Sequence, residues 1–197
     1  VLSIPVIVHE SDTVPGRTTK WAGKFATRVA LSYPEAAPFY PSTTVALTGQ
    51  PIRDLLLPPS GFEKKYTKKD RPVILVFGGS QGSQVINNAI LEALPTLLNT
   101  YDVVHQAGIE NLNAVSEVAK HLLIHHEFKD RYFVDGFLDV GLFYPKVDIV
   151  VTRAGSSMFE MVLWRIPMIV VPIPETISRD QRSNAYAMAS HGVATVL

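Results

Sequence analysis

An α/β fold built on parallel sheets is predicted by three observations. Short apolar runs of strand type alternate with stretches whose apolar residues fall at helical spacing. Two of the strand-to-helix junctions are small-residue turns, Gly78-Gly79-Ser80-Gln81-Gly82-Ser83 and Thr152-Arg153-Ala154-Gly155-Ser156-Ser157. The 197 residues are 47% hydrophobic and 18% charged, enough core material for one large domain or two small ones.

The elements follow in order. Residues 5–8 read as a buried strand, and 15–26 as a helix with Pro15 near its first turn. Residues 28–31 and 44–47 are short strands. Residues 54–71, rich in Pro, Gly, Lys and Tyr, read as a linker or surface excursion. From residue 72 a nearly complete set of βα units begins. Val73–Phe77 is the clearest strand, and Val85, Ile86, Ala89, Ile90, Ala93, Leu94 and Leu97 then recur at helical spacing. Strands are predicted at 102–106, 147–151, 168–171 and 193–197, and helices at 110–120, 156–164 and 181–191. Residues 1–53 thus form an incomplete first α/β domain, 54–71 its link, and 72–197 a second α/β domain. Both ends read as interior strands, so a longer polypeptide is expected.

Composition excludes several classes. Net charge is zero, which gives no basic field for nucleic acid. There is no cysteine, so disulfides and thiolate metal sites are excluded. No apolar run reaches spanning length, and the N-terminus lacks a charged lead and signal-like core. A soluble cytoplasmic protein is the default expectation, with peripheral membrane contact left open. His121, His125 and His126 have metal-ligand spacing, but no HExxH accompanies them and a strand is expected there, so no metal site is assigned.

Three constellations carry chemistry. Glycines after Val73–Phe77 let backbone N–H groups approach a phosphate or diphosphate at a helix start. The same segment also fits a tight turn with no ligand. It is neither a P-loop nor a GxGxxG fingerprint. In the second turn Ser156 and Ser157 suit a cap or a phosphate, and Glu160 suits either a capping bond or ribose hydroxyls. In the third, Pro172-Ile173-Pro174 precedes Asp180 and Gln181, which suit sugar hydroxyls at the carboxyl edge of the sheet, Asp180 equally a helix N-cap. The Asp-x-Asp pair that holds a divalent ion on nucleotide sugars is absent, which favours metal-free stabilisation of a leaving diphosphate.

These segments, in this order, resemble the MurG family of bacterial peptidoglycan glycosyltransferases. Val8-His9-Glu10-Ser11-Asp12 with Val14-Pro15-Gly16 is similar to the family's His-Glu-Gln-Asn and Val-Pro-Gly segment. Thr48-Gly49-Gln50-Pro51-Ile52-Arg53 is similar to its Thr-Gly-Asn-Pro-Val-Arg. The 78–82 turn with Asn87, the segment from Arg153 to Glu160, and Gln181 with Asn184-Ala185 match its donor-binding signatures. The resemblance implies a two-domain GT-B fold with Rossmann-like halves, the N-terminal one incomplete here. It implies inverting, metal-independent transfer of N-acetylglucosamine from UDP-N-acetylglucosamine to lipid I, giving lipid II, at the cytoplasmic face of the cell membrane with peripheral contact and no cofactor.

By the same resemblance, Arg53, Gly79, Ser80, Gln81 and Gly82 face the donor diphosphate, with Asn87 in the same signature. Leu138 meets the uracil through its backbone. Gly155, Ser156 and Ser157 lie at the diphosphate, Glu160 at the ribose, and Gln181 with Asn184 at the sugar. Asp12 lines the cleft where the family has asparagine. His9, Glu10 and Asp12 are the candidates for general base, because the family's Gly-rich N-terminal loop with its histidine has no counterpart here. Ser11, Arg165 and Arg179 also depart from the family pattern, and the 155–160 turn is one residue shorter. A UDP-sugar epimerase of the same fold and a UDP-sugar-binding fragment without activity are the alternatives.

Overall fold

The computed structural model describes residues 4–62, 64, 70–79, 81–172 and 181–197. Ser80, Arg179 and Asp180 therefore lie outside the described residues. The first unit is a three-stranded parallel sheet in the order β1 (Ile7–Glu10), β2 (Arg28–Leu31), β3 (Val45–Leu47). Its helix α1 covers only Arg17–Ala22, shorter than the predicted 15–26, and Gly23 follows it as the C-cap. A Cβ on Gly23 would meet the Tyr40 ring at 2.4 Å.

The second unit is a six-stranded parallel sheet. Its strands are β4 (Val73–Phe77), β5 (Asp102–Gln106), β6 (Tyr132–Asp135), β7 (Ile149–Thr152), β8 (Met168–Val170) and β9 (Ala194–Val196). They lie in the order β6-β5-β4-β7-β8-β9. The chain leaves β4 toward β5 on one side and returns as β7 on the other. A crevice therefore opens at the carboxyl ends of these strands, where open α/β sheets bind ligands.

Helices α2 (Gln84–Leu97) and α3 (Leu112–Leu122) cover one face through Ile86, Ile90, Leu94, Val115 and Ala119, against Ile74, Val76 and Val103. Helices α4 (Met158–Leu163) and α5 (Gln181–Ser190) cover the other through Met158, Met161, Ala185 and Met188, against Leu75 and Val150. Successive β4 residues thus feed opposite cores, as a period of two requires.

Three expectations are corrected. Strand β6 was not anticipated: it is a four-residue edge strand whose apolar run is only Tyr132-Phe133-Val134, with Phe133 exposed, too short to stand out from the loops around it. His121 ends helix α3 rather than lying in a strand, because Val115, Ala119 and Leu123 keep one buried face at four-residue spacing. The β7 strand begins at Ile149, and Val147 instead fills the core before it.

The connection after the first sheet packs onto the second unit. Leu56 is buried, its carbonyl accepts from Trp164 Nε1 at 2.7 Å, and Phe62 meets the Trp164 ring edge-on at 4.8 Å. Lys64 donates to the carbonyls of Tyr144 and Val147.

Candidate functional site

The crevice is built from the ends of β4, β5 and β7. After β4 the chain turns through Gly78, Gly79 and Gly82, with positive φ at Gly79 (86°) and Gly82 (76°). A Cβ on Gly82 would lie 2.0 Å from the Ala107 carbonyl oxygen, and one on Gly108 2.3 Å from the Gln81 carbonyl oxygen. The 78–82 turn therefore packs backbone to backbone on the end of β5, which only glycine permits.

Arg153 follows β7 and faces this turn. Its Nη2 is 3.4 Å from where a Cβ of Gly79 would be. Its Nε is buried without a hydrogen-bond partner, and burial holds the guanidinium below its usual pKa. A buried cationic N–H without an acceptor is costly unless an anion supplies one. Gly155 has open space where a Cβ would lie, and Ser157, at the N-cap of α4, makes no capping hydrogen bond.

Glu160 is not engaged as a cap. Its Oε2 accepts from the Tyr144 hydroxyl at 2.5 Å. Tyr144 is fully buried, and its pKa is raised chiefly by that burial, then by its bond to and the charge of Glu160. Arg53 acts on Tyr144 in the opposite sense, so it stands within electrostatic reach of the pair. Arg53 also lines a cavity of about 510 Å³ with Phe77, Gln106, Leu138 and Val140. The Leu138 N–H is already held by Gln106 Oε1 at 2.9 Å.

Two predicted residues have their amides committed to protein partners. Asn87 is buried, donating to the Ala107 carbonyl at 3.0 Å while its Oδ1 accepts from His105 Nε2 at 3.0 Å. This leaves His105 Nδ1 to accept from the Tyr132 hydroxyl at 2.8 Å. Asn184 lies at the junction of the two units, where its Oδ1 accepts from the Thr13 N–H (2.9 Å) and hydroxyl (3.0 Å) and its Nδ2 donates to Asp12 Oδ1 (2.7 Å). Gln181 begins α5 and is half-buried.

Glu10 is buried, one oxygen accepting from the Asp12 N–H at 3.0 Å and the other from the Thr19 and Tyr40 hydroxyls. His9 Nε2 lies 3.1 Å from Ser32 Oγ and 3.3 Å from the Gly49 carbonyl. Among the described residues no cluster of His, Asp and Glu could hold a metal ion, and His126 is engaged with the Pro95 carbonyl and the Phe128 N–H. No helix among the described residues is long and apolar enough to cross a membrane.

Sequence reasoning quoted Arg153 in a motif without giving it a role, and missed Tyr144 and Gln106. A polar His105-Gln106 pair closing an apolar strand was the available signal.

The His105 network gives a pH dependence. Burial lowers the His105 pKa to about 4, against 6.5 unfolded. Below pH 6.5 the unfolded chain binds the proton that the folded chain refuses, so stability is full above 6.5 and falls toward pH 4. The expected loss is about 3 kcal/mol. Urea unfolding at stepped pH should show this slope in the unaltered chain and its disappearance in His105→Gln; equal slopes would refute it.

The chain is similar to known proteins. The sequence pattern described as the glycosyltransferase family 28 C-terminal domain matches residues 73–197. A UDP-N-acetylglucosamine--N-acetylmuramyl-(pentapeptide) pyrophosphoryl-undecaprenol N-acetylglucosamine transferase of Shouchella clausii is 36% identical over 201 residues, covering 100% of this chain and 54% of the relative. The transferase of the same name from Synechococcus sp. is 33% identical, covering 98% and 52%. The chain spans about half the length of the curated relatives it matches. The crystal structure of Acinetobacter baumannii MurG superposes with a TM-score of 0.74 at 24% identity over 100% of this chain and 54% of that one. S. aureus MnaA, solved with UDP, superposes at 0.64 with 18% identity, covering 98% and 55%. These two structures support the GT-B-type fold.

Proposed function

Since this chain belongs to the glycosyltransferase family 28 C-terminal domain family, we propose that it is the donor-binding part of an enzyme that moves N-acetylglucosamine from UDP-N-acetylglucosamine to lipid I, forming lipid II. The observation that carries this reading is Arg153, whose buried Nε lacks an acceptor beside the glycine turn. A diphosphate at the carboxyl edge of the sheet would supply that acceptor. Glu160, pinned by Tyr144 through one oxygen, presents the other to ribose hydroxyls. The apolar cavity beside Leu138 takes the uracil.

In the reaction proposed, the acceptor hydroxyl oxygen bonds to the anomeric carbon and gives its proton to a general base, for which His9 and Asp12 remain the candidates, while the bond from that carbon to the diphosphate breaks. The configuration inverts and UDP leaves. Negative charge then grows on the diphosphate, where Arg153, Arg53 and the turn's N–H groups stabilise it in place of a metal ion. In this reading Asn87 and Asn184 are supports: the first stiffens the end of β5, and the second ties Asp12 and Thr13 to α5. Glu10 holds its loop rather than serving as base, since both its oxygens are occupied. A lipid-linked acceptor brings the enzyme to the membrane face where UDP-sugars are supplied, the cytoplasmic one.

Titration calorimetry tests the donor site. Heat of binding is expected with UDP and UDP-N-acetylglucosamine, and its absence in a folded chain would sink the proposal. Product analysis with a lipid I analogue, on the full reading frame, separates transfer from epimerisation.

A further inference from the structure

Gln106 closes β5 and is 1% exposed, yet both ends of its amide are used. Its Nε2 donates to the Gly79 carbonyl at 2.9 Å, and its Oε1 accepts from the Leu138 N–H at 2.9 Å. Gly79 belongs to the glycine turn, and Leu138 to the loop that lines the apolar cavity. A carbonyl can only accept and a peptide N–H can only donate, so the two partners fix which way the amide points. Glutamate has the same length but no donor, and methionine has neither function. Asparagine is a methylene too short to span the same gap.

We propose that Gln106 is a positioning residue that sets the spacing between the phosphate-binding turn and the base-binding loop, so that one nucleoside diphosphate meets both at once. This rests on the donor-site reading above. Gln106 borders the base cavity, but both polar ends of its amide are committed to Gly79 and Leu138, so its hydrogen bonding acts on a ligand through those two segments. Its loss therefore penalises a ligand that spans the two segments, and spares one that touches a single segment. A role in stability alone would weaken all ligands together.

The experiment uses the 197-residue chain with three probes: UDP, which spans both segments, uridine, which carries only the base half, and inorganic pyrophosphate, which carries only the other. In Gln106→Met and Gln106→Glu, UDP affinity should fall about 10-fold or more, the usual size of a lost buried hydrogen bond with its partner left unpaired. Uridine and pyrophosphate, followed by NMR titration, should change by less than about twofold. Undiminished UDP affinity in either folded variant would overturn the proposal, and so would an equal loss for uridine and UDP. Should neither variant fold, hydrogen exchange at the Leu138 amide of the unaltered chain decides: slow exchange without ligand supports the link, and fast exchange refutes it. Failure of the unaltered chain to bind UDP is a separate outcome, which overturns the donor site itself.

Discussion

Replacing Arg153 with methionine should weaken UDP-N-acetylglucosamine binding about 10- to 100-fold while leaving the fold as stable as before or slightly more so. The first half follows from the strength of charge-assisted hydrogen bonds, roughly 1.5–3 kcal/mol each, which a diphosphate would make with the guanidinium. The second half follows from the ligand-free structure, where the Nε is buried with no acceptor. That desolvation is a cost in the free chain, and methionine removes it while keeping most of the apolar stem. Arg153→Lys should fall between, since it keeps the charge and loses the planar fork. Calorimetry with thermal unfolding of the same samples measures both halves. Unchanged affinity in Arg153→Met would remove the observation on which the functional proposal stands.

The largest loss of stability is expected from Gly82→Ala. Two independent penalties meet there. The residue has φ of 76°, which costs an L-residue of order 1 kcal/mol or more, and its Cβ would lie 2.0 Å from Ala107 O and 2.7 Å from Ala107 C. Both obstructing atoms are backbone, so no rotamer change relieves them. Either the turn or the end of β5 must shift, and the expected destabilisation is about 3 kcal/mol or more, lowering Tm by about 6–12 °C in a chain of this size. Gly61→Ala is the matched control. It has φ of 74° with nothing within 4 Å of the added Cβ, so only the conformational penalty of about 1 kcal/mol remains. Equal effects at the two positions would show that the close approach to Ala107 is not what demands glycine at 82.

The departure at Arg165 has a visible consequence. It sits at φ of 52°, the left-handed position that ends α4 before the turn into β8. This is where the resemblance places a glycine, and the geometry explains the preference.

Much of the second unit was legible because its signals are local. The run Val73–Phe77 alternates between two cores, and glycines mark the turn that follows. The α2 stripe of Ile86, Ile90 and Leu94 reads directly as a buried face. Elements at the sheet's edge were less legible. β6 has four residues with one exposed phenylalanine, and α1 has six residues with none buried, so neither carries enough apolar periodicity to announce its bounds.

The sequence by itself determined the parallel α/β class, the glycine turn after β4 and the small-residue turn after β7, because strand period, helix period and turn chemistry are properties of neighbouring residues. Tertiary structure alone decided which polar residues face the crevice. Asn184 meets Thr13 across 171 positions of sequence, and Gln106 reaches Gly79 across 27 and Leu138 across 32. Tyr144 takes one oxygen of Glu160 from 16 residues away. Hydrogen-bond partners of buried polar groups are set by which strands and helices are brought side by side. That packing turned Asn87 and Asn184 inward and left Arg153 Nε buried without an acceptor.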